Sequence, residues 1–310
     1  MSQAWVPRGV VVEAPVPLPW ARSHAALPVV SITSDQRLRL FCSSRDAEGR
    51  SHIAAGWLDL EHGRASFDEA ASVTTGTLGA FDDRGVTSSS VVNHDGRVYQ
   101  YYTGWNLGVT VPFYLAIGCA ISDDGGETFE KVSGAPVLGR STVDPFLTAS
   151  PSVLVEDGVW RMWYVSGTGW LAGNERRRPQ PRSHIRYADS SDGIHWSPTG
   201  HVCIDYRDER ETSIGRPCVL KDGALYRMWF CARGESYQLG YAESRDGLVW
   251  VRKDEEIEGV TRAGFDSEMQ AYPFVFDHRG ERHMLYNGNG YGSTGIGHAA
   301  AHGNSAPGRA

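Results

Sequence analysis

Along most of the chain, short runs of β-branched and aromatic residues alternate with polar turns. Apolar positions recurring every three or four residues, the mark of an amphipathic helix, are nearly absent; Ser66 to Ala71 suits a turn of helix at best. His94-Asp95-Gly96, Glu156-Asp157-Gly158 and Lys221-Asp222-Gly223 each join two apolar runs. Each predicts a hairpin, because Asp-Gly tolerates the positive φ that tight turns demand.

The strands recur in a fixed order. Arg161-Met162-Trp163-Tyr164 is followed by Tyr187-Ala188-Asp189-Ser190-Ser191-Asp192-Gly193-Ile194-His195-Trp196. Arg227-Met228-Trp229-Phe230 is followed by Tyr241-Ala242-Glu243-Ser244-Arg245-Asp246-Gly247-Leu248-Val249-Trp250. An earlier copy runs from Gln100-Tyr101-Tyr102 to Cys119 and on to Phe129. Units opening near His24, Asp83, Asp144, Glu211 and Glu268 are spaced 59, 61, 67 and 57 residues apart. A proline or serine turn follows each opening, at Pro28, Ser89-Ser90, Pro151, Pro217 and Pro273. A period of this length, with four strands per unit, predicts an all-β, five-bladed β-propeller in one domain spanning residues 1–310. The fifth unit lacks an outer Asp-Gly-x-x-Trp strand, and Val10-Val11-Val12 is placed to supply that edge and close the ring.

The conspicuous aspartates Asp124, Asp192 and Asp246 belong to the turns between outer strands. Their carboxylates suit their own turn N–H groups, the glycine permits positive φ, and the aromatic packs between blades. They read as fasteners, with structural calcium the alternative use; the sequence requires no cofactor, and metal use stays open.

The chain carries a formal charge of -7, which argues against nucleic acid or an acidic membrane surface as partner. Arg176-Arg177-Arg178 beside Pro179 reads as a solvated loop. Five cysteines without a Cys-x-x-Cys pair suit buried thiols in a reducing compartment. The first residues lack a basic stretch followed by an apolar run, which leads to the expectation of a cytoplasmic protein. The oligomeric state is not legible.

Candidate chemistry sits at the unit openings. Asp82-Asp83-Arg84-Gly85, Asp144-Pro145, Glu211 to Arg216 and Asp266-Ser267-Glu268 all precede the first strand of a blade. In a propeller such segments converge on one mouth of the axial channel. Carboxylates brought together there split their pKa values and supply an acid and a base for glycosidic chemistry. Asp83, Asp144, Glu211 and Glu268 are the catalytic candidates, with Asp266 beside them. Glu211 is assigned as general acid, Asp83 as nucleophile or base, and Asp144 or Glu268 as the group that tunes and orients. Substrate-binding candidates are His24, Arg84, Trp105, Arg216, Asp266, Asn287, Asn289 and Tyr291, since aromatic faces stack on sugars and Asn or Arg read hydroxyls.

The blade grammar, from polar opening to Arg-Met-Trp-Tyr to Tyr-Ala-x-Ser-x-Asp-Gly-x-x-Trp, resembles the five-bladed propeller glycosidases over residues 20–300. That superfamily includes the arabinanase and β-xylosidase, invertase and levansucrase, and mannoside phosphorylase groups. The resemblance implies catalysis by acidic residues at the inner strands, here Asp83, Asp144, Glu211 and Glu268. It also implies hydrolysis or transfer of a glycosyl unit from a small carbohydrate or the terminal sugar of a glycan. His24 stands where the first blade of such enzymes has an acid, and Asp144-Pro145 matches their Arg-Asp-Pro element in part. Alternatives are a non-catalytic carbohydrate-binding propeller, a glycoside phosphorylase, a glycosyltransferase and a sialidase-like enzyme.

Overall fold

The computed structural model describes residues 3–174, 178–258 and 264–301. Nearly all of them are in strands or the turns between strands. Helical structure among them is limited to single turns at Asp254–Glu256 and Gly264–Asp266 and the short segment Asn289–Gly292. Ser66 to Ala71, read as a turn of helix, lies instead within the strand Arg64–Val73, paired along Ser51–Asp59.

Blade 1 comprises Ser23–Ile32, Leu38–Arg45, Ser51–Asp59 and Arg64–Val73. Blade 2 comprises Gly85–His94, Arg97–Leu107, Phe113–Ser122 and Glu130–Lys131. Blade 3 comprises Thr148–Glu156, Val159–Leu171, Gln180–Ser190 and Ser197–Ile204. Blade 4 comprises Ser213–Asp222, Leu225–Arg233, Tyr237–Ser244 and Trp250–Arg252. Blade 5 takes Ala271–His278, Glu281–Asn287 and Ile296–Ala301 from the end of the chain and Gln3–Val12 from its beginning. Trp5 pairs opposite Ala301 and Val12 opposite Ile296, antiparallel. The first strands of successive blades touch in sequence, and that of blade 5 returns to that of blade 1, closing a five-bladed ring.

Every innermost strand is interrupted at the same place. The register with the second strand shifts between Ala26 and Val29, Ser88 and Ser90, Ala149 and Ser152, Gly215 and Cys218, and Ala271 and Phe274. These are the positions of the proline and serine turns. In four blades the residue before the proline is left-handed: Leu27 (φ 54), Ser150 (φ 46), Arg216 (φ 55) and Tyr272 (φ 56). Such a conformation is unfavourable for a residue with a Cβ. It persists because the bulge spares proline's missing N–H from the ladder and re-aims the neighbouring side chain.

The Asp-Gly turns of blades 3 and 4 fasten each of them to the blade before it. Asp192 accepts the N–H groups of Ile194 and His195, both at 2.8 Å, and Asp246 those of Leu248 at 2.8 Å and Val249 at 2.9 Å. Asp124 likewise takes the N–H groups of Glu127 and Thr128. The carbonyls presented by these turns reach back across the blade interface. Gly193 O accepts the Tyr101 hydroxyl at 2.6 Å, and Gly247 O accepts Trp163 Nε1 at 2.7 Å. Tyr101 and Trp163 are fully buried, so these bonds have no water to replace them. Removing the Tyr101 hydroxyl (Tyr101→Phe) is expected to cost about 0.5–1.5 kcal/mol, since the Gly193 carbonyl keeps Trp196 Nε1 as a donor at 3.1 Å. Chemical denaturation of the variant checks this, and an unchanged midpoint would contradict the fastening role.

Candidate functional site

The inner strands frame an axial cavity of about 720 Å³. His24 from blade 1, Trp105 from blade 2, Ser150 from blade 3, Ser213 and Arg216 from blade 4, and Tyr272 from blade 5 all contribute to its wall. A smaller cavity of about 90 Å³ shares His24, Arg45, Trp105, Tyr272 and Tyr291 and extends to Ser51 and Thr87. The bulges explain this lining, because they aim Ser150, Arg216 and Tyr272 at the axis.

Arg216 is 1% exposed, and its guanidinium crosses between blades. It donates to Ser88 O at 3.2 Å and Ser89 O at 2.7 Å in blade 2, and to Pro28 O at 2.9 Å in blade 1. Burial lowers its pKa to about 10, which still leaves it charged at neutral pH.

A second set of wall residues comes from the ends of the second strands. Phe41, Tyr101, Trp163, Trp229 and Leu285 pair with the first residue beyond each bulge. The residues four positions later are Arg45, Trp105, Gly167, Arg233 and Asn289. Of these, Arg45, Trp105 and Arg233 line the cavity. Trp105 Nε1 donates to Ser51 Oγ at 2.9 Å, and the indole lies against Gly85, where a Cβ would fall 2.0 Å from that nitrogen. Sequence reasoning missed Arg45, Arg233 and Tyr272 as site residues; the shared register of the second strands is the signal that could have found the two arginines. Tyr237, Tyr291 and Arg178 also stand at the rim, where Arg178 is exposed, while Arg176 and Arg177 lie outside the described residues.

The carboxylates are placed otherwise than expected. None of Asp83, Asp144, Glu211 and Glu268 is among the residues lining the axial cavity. Asp144 is fully buried and accepts Tyr164 Oη at 2.9 Å and Ser166 Oγ at 2.6 Å, with Arg186 3.4 Å away. Asp82 accepts Tyr102 Oη at 3.1 Å and Lys131 Nζ at 2.6 Å. Asp266 accepts Tyr286 Oη at 3.2 Å and Gln270 Nε2 at 2.7 Å. Each of these aspartates thus clasps a tyrosine 20 residues further along, one per blade. In blade 4, Phe230 replaces the tyrosine and Arg252 takes its part. Arg252 lies over the Phe230 ring and grips Glu211 with two bonds of 2.7 and 2.8 Å. Burial pushes the Glu211 carboxyl up, but the bonds from Arg252 and the Arg207 N–H outweigh it and hold it below the usual range. Held in this bidentate pair and away from the cavity lining, Glu211 serves the frame of blade 4, and its assignment as general acid draws no support from this placement. Asp83 caps its own turn through Gly79 N–H at 2.9 Å. Glu268 is exposed, and its backbone is held by Asn289 and Ser236.

Of the binding candidates, His24, Trp105, Arg216 and Tyr291 meet at the axis. Asn287 is buried and ties blade 5 to blade 1 through Leu27 N–H, Ala25 O and Gly295 O. Asn289 pins the loop of Glu268 and Met269. Arg84 reaches Glu48 O, in the turn between the second and third strands of blade 1. Another cavity of about 730 Å³, between the hairpin ends of blades 1 and 5, is lined by residues such as Arg37, Trp57, His278 and Arg279 and shares no residue with the axial cavity. Among the described residues no group of three or more His, Cys, Asp or Glu side chains is arranged to hold a metal ion, and no helix is long and apolar enough to cross a membrane.

The chain is 44% identical over 298 residues to a Mycobacterium tuberculosis protein designated MT1551 (strain CDC 1551 / Oshkosh), covering 95% of this chain and 98% of that one. It is 43% identical to the M. tuberculosis H37Rv protein Rv1502, with the same coverage. No family model matches. Among solved structures, BT0996 in an RGII complex superposes with a TM-score of 0.76 at 16% identity, covering 100% of this chain and 94% of that protein. A thermostable family-43 glycoside hydrolase gives a TM-score of 0.66 at 14% identity, covering 94% and 97%. A Bombyx mori GH32 beta-fructofuranosidase in complex with sucrose gives 0.64 at 15%, covering 94% of this chain and 61% of that one. These matches share the propeller fold of this chain.

Burial, followed by the neighbouring Arg45 charge, lowers the pKa of His24 to about 4 from an ordinary 6.5. The unfolded chain therefore binds a proton at this position that the folded chain refuses. His24 accordingly opposes folding progressively as pH falls from 6.5 towards 4, and has no such effect above 6.5. The wild type should lose more stability over that window than His24→Gln, as followed by thermal unfolding at stepped pH; parallel curves would contradict the assigned environment.

Proposed function

The chain belongs to the family of the Mycobacterium tuberculosis proteins MT1551 and Rv1502, and from its fold and axial cavity we propose that it is a carbohydrate-active enzyme of the glycosidase kind. Its substrate in this reading is a small or terminal sugar seated at the axis. One observation carries the reading. The inner strands of a glycosidase-type propeller open into a cavity walled by Trp105, Tyr237, Tyr272 and Tyr291 and edged by Ser150, Ser183 and Ser213. Aromatic faces cover the C–H surfaces of a sugar, and hydroxyls and guanidinium groups bond its oxygens. The cavity is closed beneath by Arg216 and suits one or two sugar rings better than a polymer groove.

A second reading, a sugar-binding propeller without turnover, is favoured by the lining itself: among the described residues no carboxylate contributes to the cavity wall. The paired-carboxylate scheme built on Asp83 and Glu211 draws no support from this geometry. A hydrolytic or transfer reaction here would depend on the neutral His24, on tyrosine hydroxyls, or on an acid group of the substrate.

Two measurements separate the readings. Purified protein is screened for binding and for turnover on aryl glycosides, oligosaccharides and activated sugar donors. Turnover with at least one donor supports the enzyme; saturable sugar binding with no turnover on any donor supports the second reading; no sugar binding at all sinks both. Trp105→Ala is expected to weaken sugar binding by about tenfold, the scale of one lost stacking contact. Asp144→Asn is expected to lower the melting temperature while leaving turnover per folded molecule intact. A large fall in kcat with unchanged stability would restore Asp144 as a catalytic residue.

A further inference from the structure

We propose that the ligand of the axial cavity carries an acid group, a phosphate or a sugar carboxylate, that is received by Arg45 and Arg233 at the mouth with Arg216 beneath them. The inference rests on the carbohydrate reading above and narrows it to anionic sugars.

The first observation is the mismatch between the molecule and its cavity. The chain has a formal charge of -7, with 37 acidic against 30 basic residues. The cavity nevertheless gathers Arg45, Arg178, Arg216 and Arg233, with no carboxylate among the described lining residues. Cationic walls inside an acidic protein concentrate the field on that one opening.

The second is the partnership of these arginines. Elsewhere in the fold several buried or half-buried arginines are matched to acids: Arg39 to Asp68, Arg227 to Asp222 and Glu243, Arg252 to Glu211 and Asp254, Arg282 to Asp222 and Asp277; Arg84, on Glu48 O, and Arg182, over the Tyr206 ring, are exceptions. Arg216 touches three backbone carbonyls. Arg233 is 8% exposed and donates to Thr212 Oγ1 at 3.2 Å and Pro181 O at 2.9 Å, both neutral. Arg45 is exposed at the mouth, and its side chain makes no hydrogen bond or ion pair among the described residues, so its guanidinium is available to a ligand. Three guanidinium groups line one cavity whose described wall holds no carboxylate, and an anion brought between them supplies the counter-charge that the wall lacks.

The third is the match of donors to an oxyacid. Planar guanidinium forks bind carboxylate and phosphate through paired N–H bonds. Ser150, Ser183, Ser213 and the tyrosine hydroxyls of the wall add neutral donors for the remaining oxygens. His24, kept neutral, leaves the positive charge to the arginines.

Titration calorimetry on the full chain tests the proposal with inorganic phosphate, hexose phosphates, hexuronates and the matching neutral hexoses, each at low and high salt. The expected result is at least about tenfold tighter binding of one anionic sugar than of its neutral counterpart, weakening as salt is raised. Competition by inorganic phosphate identifies a phosphate ester as the source of the charge; preference for the hexuronate identifies a carboxylate. Arg45→Met should weaken the anionic sugar about tenfold more than its neutral counterpart, with melting temperature unchanged because the Arg45 side chain has no bond to lose. Arg233→Met provides a second, independent variant with the same expected selectivity. Equal affinity for neutral and anionic sugars, unmoved by Arg45→Met, overturns the proposal and leaves the carbohydrate reading standing. Binding of anions irrespective of any sugar ring supports the acid-group site and overturns the carbohydrate reading. Binding of neither class overturns the proposal.

Discussion

The guanidinium of Arg216 is the contact on which the centre of this propeller depends. It starts in blade 4, crosses the axis, and takes the carbonyls of Pro28, Ser88 and Ser89 from blades 1 and 2. Those carbonyls are exposed to it because the inner strands break register at the same position in every blade. A charge buried this deeply is tolerable only when hydrogen bonds surround it. The bulges, the unfavourable φ of Arg216 and the convergence of the inner strands are therefore parts of one arrangement. The cavity begins where that plug ends.

Around the plug, equivalent positions of the repeat have taken different tasks. The residue four places beyond the second-strand anchor is Arg45, Trp105, Gly167, Arg233 or Asn289, and that variety makes one side of the cavity cationic and another aromatic. The Asp–Tyr clasp, by contrast, is kept in three blades and rebuilt as a Glu–Arg pair in the fourth. Variation at the mouth and constancy at the blade shoulders divide the molecule into a binding end and a frame.

Much of the fold was legible because a propeller writes its repeat into the chain. The spacing of the aromatic strands and the Asp-Gly-x-x-Trp turns locate the blades, and the proline and serine turns locate the bulges without revealing their geometry. The site was less legible for a physical reason. Position along a strand says when a residue reaches the axis, but a bulge decides which side chain turns towards it. Asp144 and Arg216 both stand near an opening; Asp144 points into its own blade at Tyr164 and Ser166, while Arg216 is turned across the centre. Arg45 and Arg233 escape notice because they close strands dominated by core residues, and loops of unequal length hide their common register.

The pairing of Gln3–Val12 with Ile296–Ala301 sets the order in which this molecule can be completed. Blades 1 to 4 are each built from consecutive strands, so each can form as its own segment leaves the ribosome. Blade 5 cannot, since its outer strand is made first and its partner last. Throughout synthesis the opening strand carries an unpaired edge, a template for misplaced pairing with another chain. Its irregular register, broken between Pro7 and Gly9 and again between Val10 and Val12, makes it a poor match for a regular strand and a specific one for Ile296–Ala301. The strand pairing of greatest separation along the chain is thus the one that turns an open row of blades into a ring.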